Sequence, residues 1–111
     1  EVMADPGNLT GLRAHVGQSL LIRVTGSTRG MVWGSEVYTD DSLLAVAAVH
    51  AGLVRPGETA VVQVTLLPGQ NAYAASSRNG VQSQSYGRWE GSYRLAAPTQ
   101  APRPPLAKAA R

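Results

Sequence analysis

Alternation of apolar and polar side chains predicts three main strands in this chain. In "QSLLIRVTG", Leu20, Ile22 and Val24 fall on one face, which is the two-residue period of a half-buried strand. The stretches "TAVVQVTLL" and "RWEGSYRL" show the same period later in the chain. Turn residues separate these segments, and we expect Pro68-Gly69 to end the second strand.

Three other segments carry local signals. "MVWGSEVYT" predicts a short strand that is broken near Gly34. Residues 1–18 contain scattered Gly and apolar side chains and predict an irregular lead-in. Asn79-Gly80 predicts a two-residue hairpin turn, because both positions of such a turn need positive φ.

The stretch "YTDDSLLAVAAVHAG", residues 38–52, predicts a helix. Its middle is apolar all round except for His50, and such a helix is buried on most sides rather than lying on a surface. The small side chains of Ala47 and Ala48 let neighbouring backbone approach closely. With strands on both sides, the pattern predicts an α+β fold in which a central buried helix is wrapped by twisted, mostly antiparallel β-sheets.

The polar ends of this helix allow two interpretations. The set Asp40, Asp41, Ser42 and His50 contains the residue types of a nucleophile and its base. On one helix, however, Ser42 and His50 are about 12 Å apart along the axis, too far for the hydrogen bond that activates a nucleophile. We therefore interpret Asp40 or Asp41 as the N-terminal cap and Gly52 as the left-handed residue at the C-terminus. We interpret His50 as a hydrogen-bonded structural residue, with a ligand contact as the alternative.

The distribution of charge argues against nucleic acid as a partner. The chain carries a net charge of +3, but residues 1–96 contain seven arginines and seven acidic residues. A neutral folded part without a basic stripe gives little support for binding a phosphate backbone. We expect one domain over residues 1–96, followed over residues 97–111 by a disordered, basic, Pro/Ala-rich tail or linker.

Composition argues against several further classes. The chain has no Cys and only two His, so we predict no disulfide, no metal site and no cofactor. No apolar run reaches the roughly 18 residues that a membrane-spanning helix needs. The sequence begins at Glu1 without a charged-then-apolar leader, so we expect a mature form, a trimmed form or an excised domain.

The order of these motifs resembles the LCCL domain family. "VWGSEVYTDDSLLAVAAVHAG", a strand ending "LPG" and then "RNGVQSQSYGRWEGSY" follow one another as in that family, over residues 32–95. The most recognisable parts are the Ala-Ala-x-His pattern of the helix and Asn79-Gly80 with Ser83. Animal members carry a Cys where Ala45 stands here and a Cys pair before the first strand, and this cysteine-free chain lacks them all. Its composition, rich in Ala, Arg and Val and without Cys, predicts a bacterial form.

The resemblance implies a central helix enclosed by antiparallel sheets, which agrees with the pattern of the residues. It also implies a non-enzymatic, extracytoplasmic module, periplasmic or secreted, that is associated with binding lipopolysaccharide or other glycans. No catalytic residues carry over from the family. The alternative is a structural or protein-interaction domain that positions a neighbouring domain of a larger secreted or envelope protein, with the proline-rich tail as the linker.

For a glycan ligand, the candidate residues surround the polar loop "SSRNGVQSQS". Two Trp and four Tyr can stack on sugar rings, but most of them are needed for the core because the chain has no Phe. Tyr73 and Tyr86 flank the loop and are the best candidates for exposed rings, with Arg78 and Asn79 beside them. The hairpin turn by itself also explains Asn79-Gly80, so a purely structural loop is the competing interpretation.

Overall fold

The computed structural model describes residues 1–99; the predicted disorder of the tail falls, from residue 100 onward, outside that range. The described residues form eight strands, one α-helix and one 3₁₀-helix. In chain order the elements are β1 (Val2–Ala4), the 3₁₀-helix (Thr10–His15), β2 (Ser19–Thr25), β3 (Gly34–Ser35), β4 (Val37–Thr39), α1 (Leu44–His50), β5 (Thr59–Gln70), β6 (Ser77–Arg78), β7 (Val81–Gln82) and β8 (Trp89–Ala96).

Six of the strands form one sheet in the order β1-β2-β5-β8-β4-β3. All neighbouring pairs are antiparallel except β1 with β2, and β6 with β7 forms a separate hairpin. The helix α1 contacts both β2 and β7. The α+β class and the mostly antiparallel sheet are therefore confirmed. The predicted central helix wrapped by sheets is matched only loosely, because α1 has seven residues and lies between one sheet and a hairpin. Within residues 1–99, no helix is long and apolar enough to cross a membrane.

The buried face of the sheet is the face that the alternation predicts. The strands bury Ile22, Val24, Val62, Val64, Leu66 and Tyr93. The helix adds Leu44 and residues 46–50, each at most 1% exposed. Ala47 and Ala48 have no exposed surface, so any larger side chain at either position would displace packed neighbours.

Asp40 and Asp41 do not cap α1, contrary to the prediction. The residue before the first turn is Leu43, and no side chain bonds to the helix N-terminus. The N–H of Leu44 instead donates to the carbonyl of Gly7 at 2.8 Å. A backbone carbonyl of the N-terminal segment thus takes the place of a cap, and the two acids remain in the turn before the helix.

The C-terminus of α1 has the geometry that the sequence predicts. Gly52 has φ of 80°. Its N–H donates to Val49 at 2.9 Å, and the N–H of Leu53 donates to Ala48 at 3.0 Å. This pair of bonds is a Schellman motif, which satisfies carbonyls that the helix leaves free.

Strand β5 continues through Pro68-Gly69, where the sequence predicted its end. Pro68 pairs with Gly91 of β8. The N–H of Leu66 donates to Gln18 at 2.9 Å, and N–H directions alternate along a strand. Pro68 would direct its N–H to the same side, but the β2–β5 ladder stops at the pair Ser19 and Thr65. The missing N–H of Pro68 therefore costs no ladder bond. A side chain at Gly69 would collide with the carbonyl of Trp89, so glycine permits the close approach.

Two other predictions are corrected. Residues 1–18 are not wholly irregular, because they contain β1 and the 3₁₀-helix. The broken strand around Gly34 consists of two short strands, β3 and β4, which pair with each other. Glu36 lies between them with φ of 70° and reverses the chain direction. Sequence periodicity could not predict either feature, since each strand has at most three residues.

Candidate ligand-binding site

His50 is a buried residue whose two ring nitrogens and backbone carbonyl all form hydrogen bonds. It has no exposed surface. Its Nδ1 lies 2.9 Å from the Tyr38 hydroxyl, and its Nε2 lies 3.1 Å from both the carbonyl oxygen and the hydroxyl of Ser76. Its own carbonyl accepts the side-chain amide of Asn79 at 2.9 Å. These bonds join α1 to β4 and to the β6–β7 hairpin, and they leave neither ring nitrogen for a ligand.

Ser42 is likewise committed to the fold. Its Oγ accepts the backbone N–H of Trp33 at 2.9 Å and lies 2.9 Å from Oγ1 of Thr39. Both Ser42 and Thr39 are buried. The hydroxyl therefore holds the turn before α1, and it is not placed beside His50 as a nucleophile beside its base.

Tyr73 was predicted to expose its ring, and this prediction is wrong. The residue is only 4% exposed. Its backbone pairs with that of Tyr86, and its hydroxyl lies 2.7 Å from Oγ of Ser92 and accepts the N–H of Gln70 at 3.0 Å. Burial is favourable because the phenol finds partners inside the fold. Tyr86 is 46% exposed and is the one of the two tyrosines that a ligand can reach.

Arg78, Asn79 and Gly80 form the turn end of the hairpin. Asn79 and Gly80 have φ of 53° and 81°, the positive values that the turn requires. Arg78 lies 3.6 Å from the carboxylate of Glu36. Because the Asn79 amide is bonded to His50, these residues have clear structural roles, and the geometry does not bring them next to Tyr86 in one cavity.

Tyr86 instead forms one wall of a small cavity, which we name the aromatic cavity. Its lining consists of Trp33, Thr39, Asp41, Tyr86 and Trp89, and its volume is about 120 Å³. The rings of Tyr86 and Trp89 meet edge to face, with centroids 5.7 Å apart. Both tryptophans of the chain line this cavity. Apolar rings beside a carboxylate and a threonine are the mixed lining that small-ligand sites use.

The ring of Trp89 is held in place by a salt bridge outside the cavity. Its Nε1 donates to Oδ1 of Asp40 at 2.8 Å, and Cζ of Arg13 lies 5.6 Å from its ring centroid. Arg13 donates to Asp40 at 2.6 Å and 3.0 Å, and to Glu90 at 3.3 Å. The hydrogen bond to Asp40 is the main cause that raises the pKa of Arg13. One wall of the cavity is therefore preorganised.

Asp41 differs from Asp40 in its lack of partners. Its Oδ1 atom is buried and forms no hydrogen bond with any of residues 1–99. A buried carboxylate oxygen without a partner is unfavourable by about 1–3 kcal/mol or more. Because Asp41 lines the cavity and lacks a partner in the fold, its carboxylate is a group there with which a ligand can pair.

A larger depression, of about 390 Å³, contains two polar side chains that are already bonded. The Asn79 amide bonds to His50, and the Glu58 carboxylate accepts the N–H of Arg55. Within residues 1–99, no group of three or more His, Cys, Asp or Glu side chains is placed to hold a metal ion. The aromatic cavity, although smaller, is the better candidate because of its lining.

Sequence reasoning considered Trp33 and Trp89 only as members of the aromatic set and missed Arg13 and Thr39. Arg13 lies in a segment without periodicity, and its partner Asp40 is 27 positions away. Nothing local in the sequence signals such a pair. The one available signal was that tryptophan, because of its size, is rarely fully buried.

The LCCL domain model matches residues 22–93, well over half of the chain. The chain therefore belongs to the LCCL domain family, as its motif order predicted. The match runs from Ile22 within β2 to Tyr93 within β8, and so contains the helix and all five residues that line the aromatic cavity.

The chain is similar to human cochlin, with 39% identity over 62 residues that cover 56% of this chain and 11% of cochlin. It is similar to human "Cysteine-rich secretory protein LCCL domain-containing 2", with 39% identity over 56 residues, 50% of this chain and 11% of that protein. It is also 37% identical over 62 residues to "Transcriptional regulatory protein rxt3" of Schizosaccharomyces pombe, covering 52% of this chain and 18% of that protein. The matched region is thus a small part of each relative.

Proposed function

We propose that this domain is a non-enzymatic binding module that recognises a surface glycan, lipopolysaccharide or another polysaccharide, at the aromatic cavity. The observation that carries the proposal is the convergence of Trp33, Tyr86 and Trp89 around Asp41. Aromatic faces stack on the C–H face of a sugar ring, and a carboxylate accepts hydrogen bonds from its hydroxyls. The non-enzymatic assignment is supported by the structural bonds of Ser42 and His50.

We further propose an extracytoplasmic location, periplasmic or secreted. The support is the name of one relative, which includes "secretory protein". Another relative is named as a transcriptional regulatory protein, so membership of the family does not by itself fix the compartment. The location of this chain therefore has to be measured, for example by fractionating cells that produce the natural protein.

The test of glycan binding is an NMR titration of the whole chain with lipopolysaccharide and a panel of soluble polysaccharides. We expect shifts of both tryptophan indole signals and of the Asp41 and Tyr86 amides. Tyr86→Ala should weaken binding without unfolding the domain, because the ring is 46% exposed. The matched control is Val2→Ala, which also truncates an exposed side chain but lies on β1, at the far edge of the sheet from β4 and β3.

A folded domain whose spectrum does not change with any glycan would contradict this proposal. The function would then be the alternative that the sequence leaves open, a domain that positions a neighbouring domain of the same protein. The small share of each relative that the chain covers is compatible with that role. Its test is the same titration with the adjoining segments of the natural protein.

A further inference from the structure

Resting on the proposed function, we propose that the sugar unit bound at the aromatic cavity carries a protonated amine, so that the ligand is a glycan of unacetylated amino sugars. The first observation is the carboxylate of Asp41, which lines the cavity, makes no ion pair within residues 1–99 and has no hydrogen-bond partner there for its Oδ1. An ammonium group pairs with such a carboxylate through a charge-assisted hydrogen bond, which is stronger than the bond from a neutral hydroxyl.

The surrounding charges also favour a cation. Arg13 is shared between Asp40 and Glu90, and within residues 1–99 no ion pair includes Asp41. Arg88 is close to Tyr86 in sequence, but it lines a different depression together with Glu90. Three carboxylates thus stand near one committed guanidinium, and the carboxylate of Asp41 is the one without a cation of its own.

The aromatic walls act in the same direction. The face of a tryptophan or tyrosine ring is electron-rich and attracts an ammonium group within about 6 Å. Trp89 already makes such a contact with Arg13, at 5.6 Å. Trp33 and Tyr86 provide two more rings at the cavity. Rings and carboxylate together favour a cation, whereas a neutral sugar offers the carboxylate only the weaker hydrogen bond of a hydroxyl.

The size of the cavity indicates how the ligand sits. Its volume of about 120 Å³ is below the roughly 300–1,000 Å³ of a pocket that encloses a whole small molecule. It therefore takes the amine-bearing end of a larger ligand. The half-exposed ring of Tyr86 then offers a stacking surface for the sugar ring that carries the amine. The flexible chain of a lysine would present the same cation but would make no use of that surface.

The test is a titration of the whole chain, followed by tryptophan fluorescence, with glucosamine oligosaccharides and with N-acetylglucosamine oligosaccharides of the same length. Both tryptophans line the cavity, so their emission reports on it directly. We expect the free-amine oligosaccharide to bind more tightly. Asp41→Asn, which keeps the shape and removes the charge, should weaken that binding by about tenfold or more and weaken binding of the N-acetylated ligand much less.

The matched control is Glu58→Gln, which also removes one acidic charge. Glu58 precedes the first residue of β5, whereas Trp89 pairs with the last residue of that strand. The control should bind like the unsubstituted chain, and circular dichroism should show that both variants are folded. Equal binding of the two oligosaccharides would overturn the amine inference and leave the proposed glycan-binding function intact.

Two other outcomes would overturn the inference in different ways. If neither oligosaccharide binds and lipopolysaccharide and the other polysaccharides also fail, the proposed function fails with it. If tetramethylammonium or a lysine-containing peptide binds at the cavity while no glycan does, the site recognises a cation from another class of molecule, and the assignment to amino sugars is wrong.

Discussion

Arg13 and Asp40 form a two-pronged salt bridge across 27 positions of sequence, with 2.6 Å between Nε and Oδ2 and 3.0 Å between Nη2 and Oδ1. Asp40 is 2% exposed, and it also accepts the indole N–H of Trp89. In a chain without cysteine, this pair is a non-covalent link between the 3₁₀-helix and the strands. It also fixes one wall of the aromatic cavity.

Arg13→Ala is expected to lower the free energy of unfolding by about 2 kcal/mol. Removing one partner of a fully buried ion pair costs about 3–5 kcal/mol, and the side chain of Arg13 is 36% exposed, so solvent screening reduces the loss. Urea unfolding measures the change. The control is Arg23→Ala, an exposed position on β2; equal losses in the two variants would show that the salt bridge contributes nothing specific.

Gly91→Ala tests how closely β8 approaches Asp40. A Cβ at this position would collide with Oδ2 of Asp40 and lie 3.1 Å from Nε of Arg13. We expect a loss of about 1–3 kcal/mol from overpacking, measured by thermal unfolding. Gly87→Ala is the matched control, since a Cβ there meets nothing within 4 Å and the residue has no positive φ. A stable Gly91→Ala variant would mean that the salt bridge can move aside.

Much of the fold was predictable because it depends on local patterns. The alternation of Val62, Val64 and Leu66 defines the buried face of β5, and Asn79-Gly80 defines the hairpin turn. Gly52 defines the end of the helix. Each of these features follows from side-chain period or from backbone conformation within a few residues.

The rest depends on contacts that no local pattern records. An acid before a helix is a good cap, but Asp40 gains more from Arg13, which reaches it only in the folded chain. Tyr73 is in a polar segment, yet Ser92 on β8 offers its hydroxyl a buried partner. The aromatic cavity likewise joins Trp33 and Trp89 from opposite ends of the matched region. Sequence reasoning therefore predicted the α+β class and the mostly antiparallel sheet, and named Tyr86 alone among the cavity's rings as a ligand contact.

His50→Leu should destabilise the domain and loosen the β6–β7 hairpin. The substitution leaves the buried Tyr38 hydroxyl without its partner, which costs about 1–3 kcal/mol, and it removes the bond from the ring to the Ser76 carbonyl. Hydrogen exchange of the Ser83 amide, which bonds to Ser76 at 2.9 Å, measures the hairpin directly. His15→Leu, at an exposed position, is the control. Unchanged exchange at Ser83 in the His50 variant would show that the hairpin is held by other contacts.

Tyr93 makes the stability of the domain sensitive to alkaline pH. The residue has no exposed surface, and its hydroxyl donates to the carbonyl of Ser42 at 2.9 Å. Burial raises the pKa of Tyr93 well above its ordinary value. A tyrosine in the unfolded chain loses its proton near pH 10, whereas folded Tyr93 keeps it. The unfolded state then binds fewer protons than the folded state, so the free energy of unfolding falls as pH rises above about 10.

The expected loss is about 1.4 kcal/mol for each pH unit between the unfolded and folded pKa values, with no contribution from Tyr93 at neutral pH. Urea unfolding at about pH 8, pH 10 and pH 11 measures it. Burial also raises the pKa of Tyr38, so Tyr93→Phe should reduce the alkaline loss without abolishing it. Tyr86→Phe, at an exposed ring, should leave the loss unchanged. If Tyr93→Phe lost stability with pH as steeply as the unsubstituted chain, ionisation of Tyr93 would not be the cause.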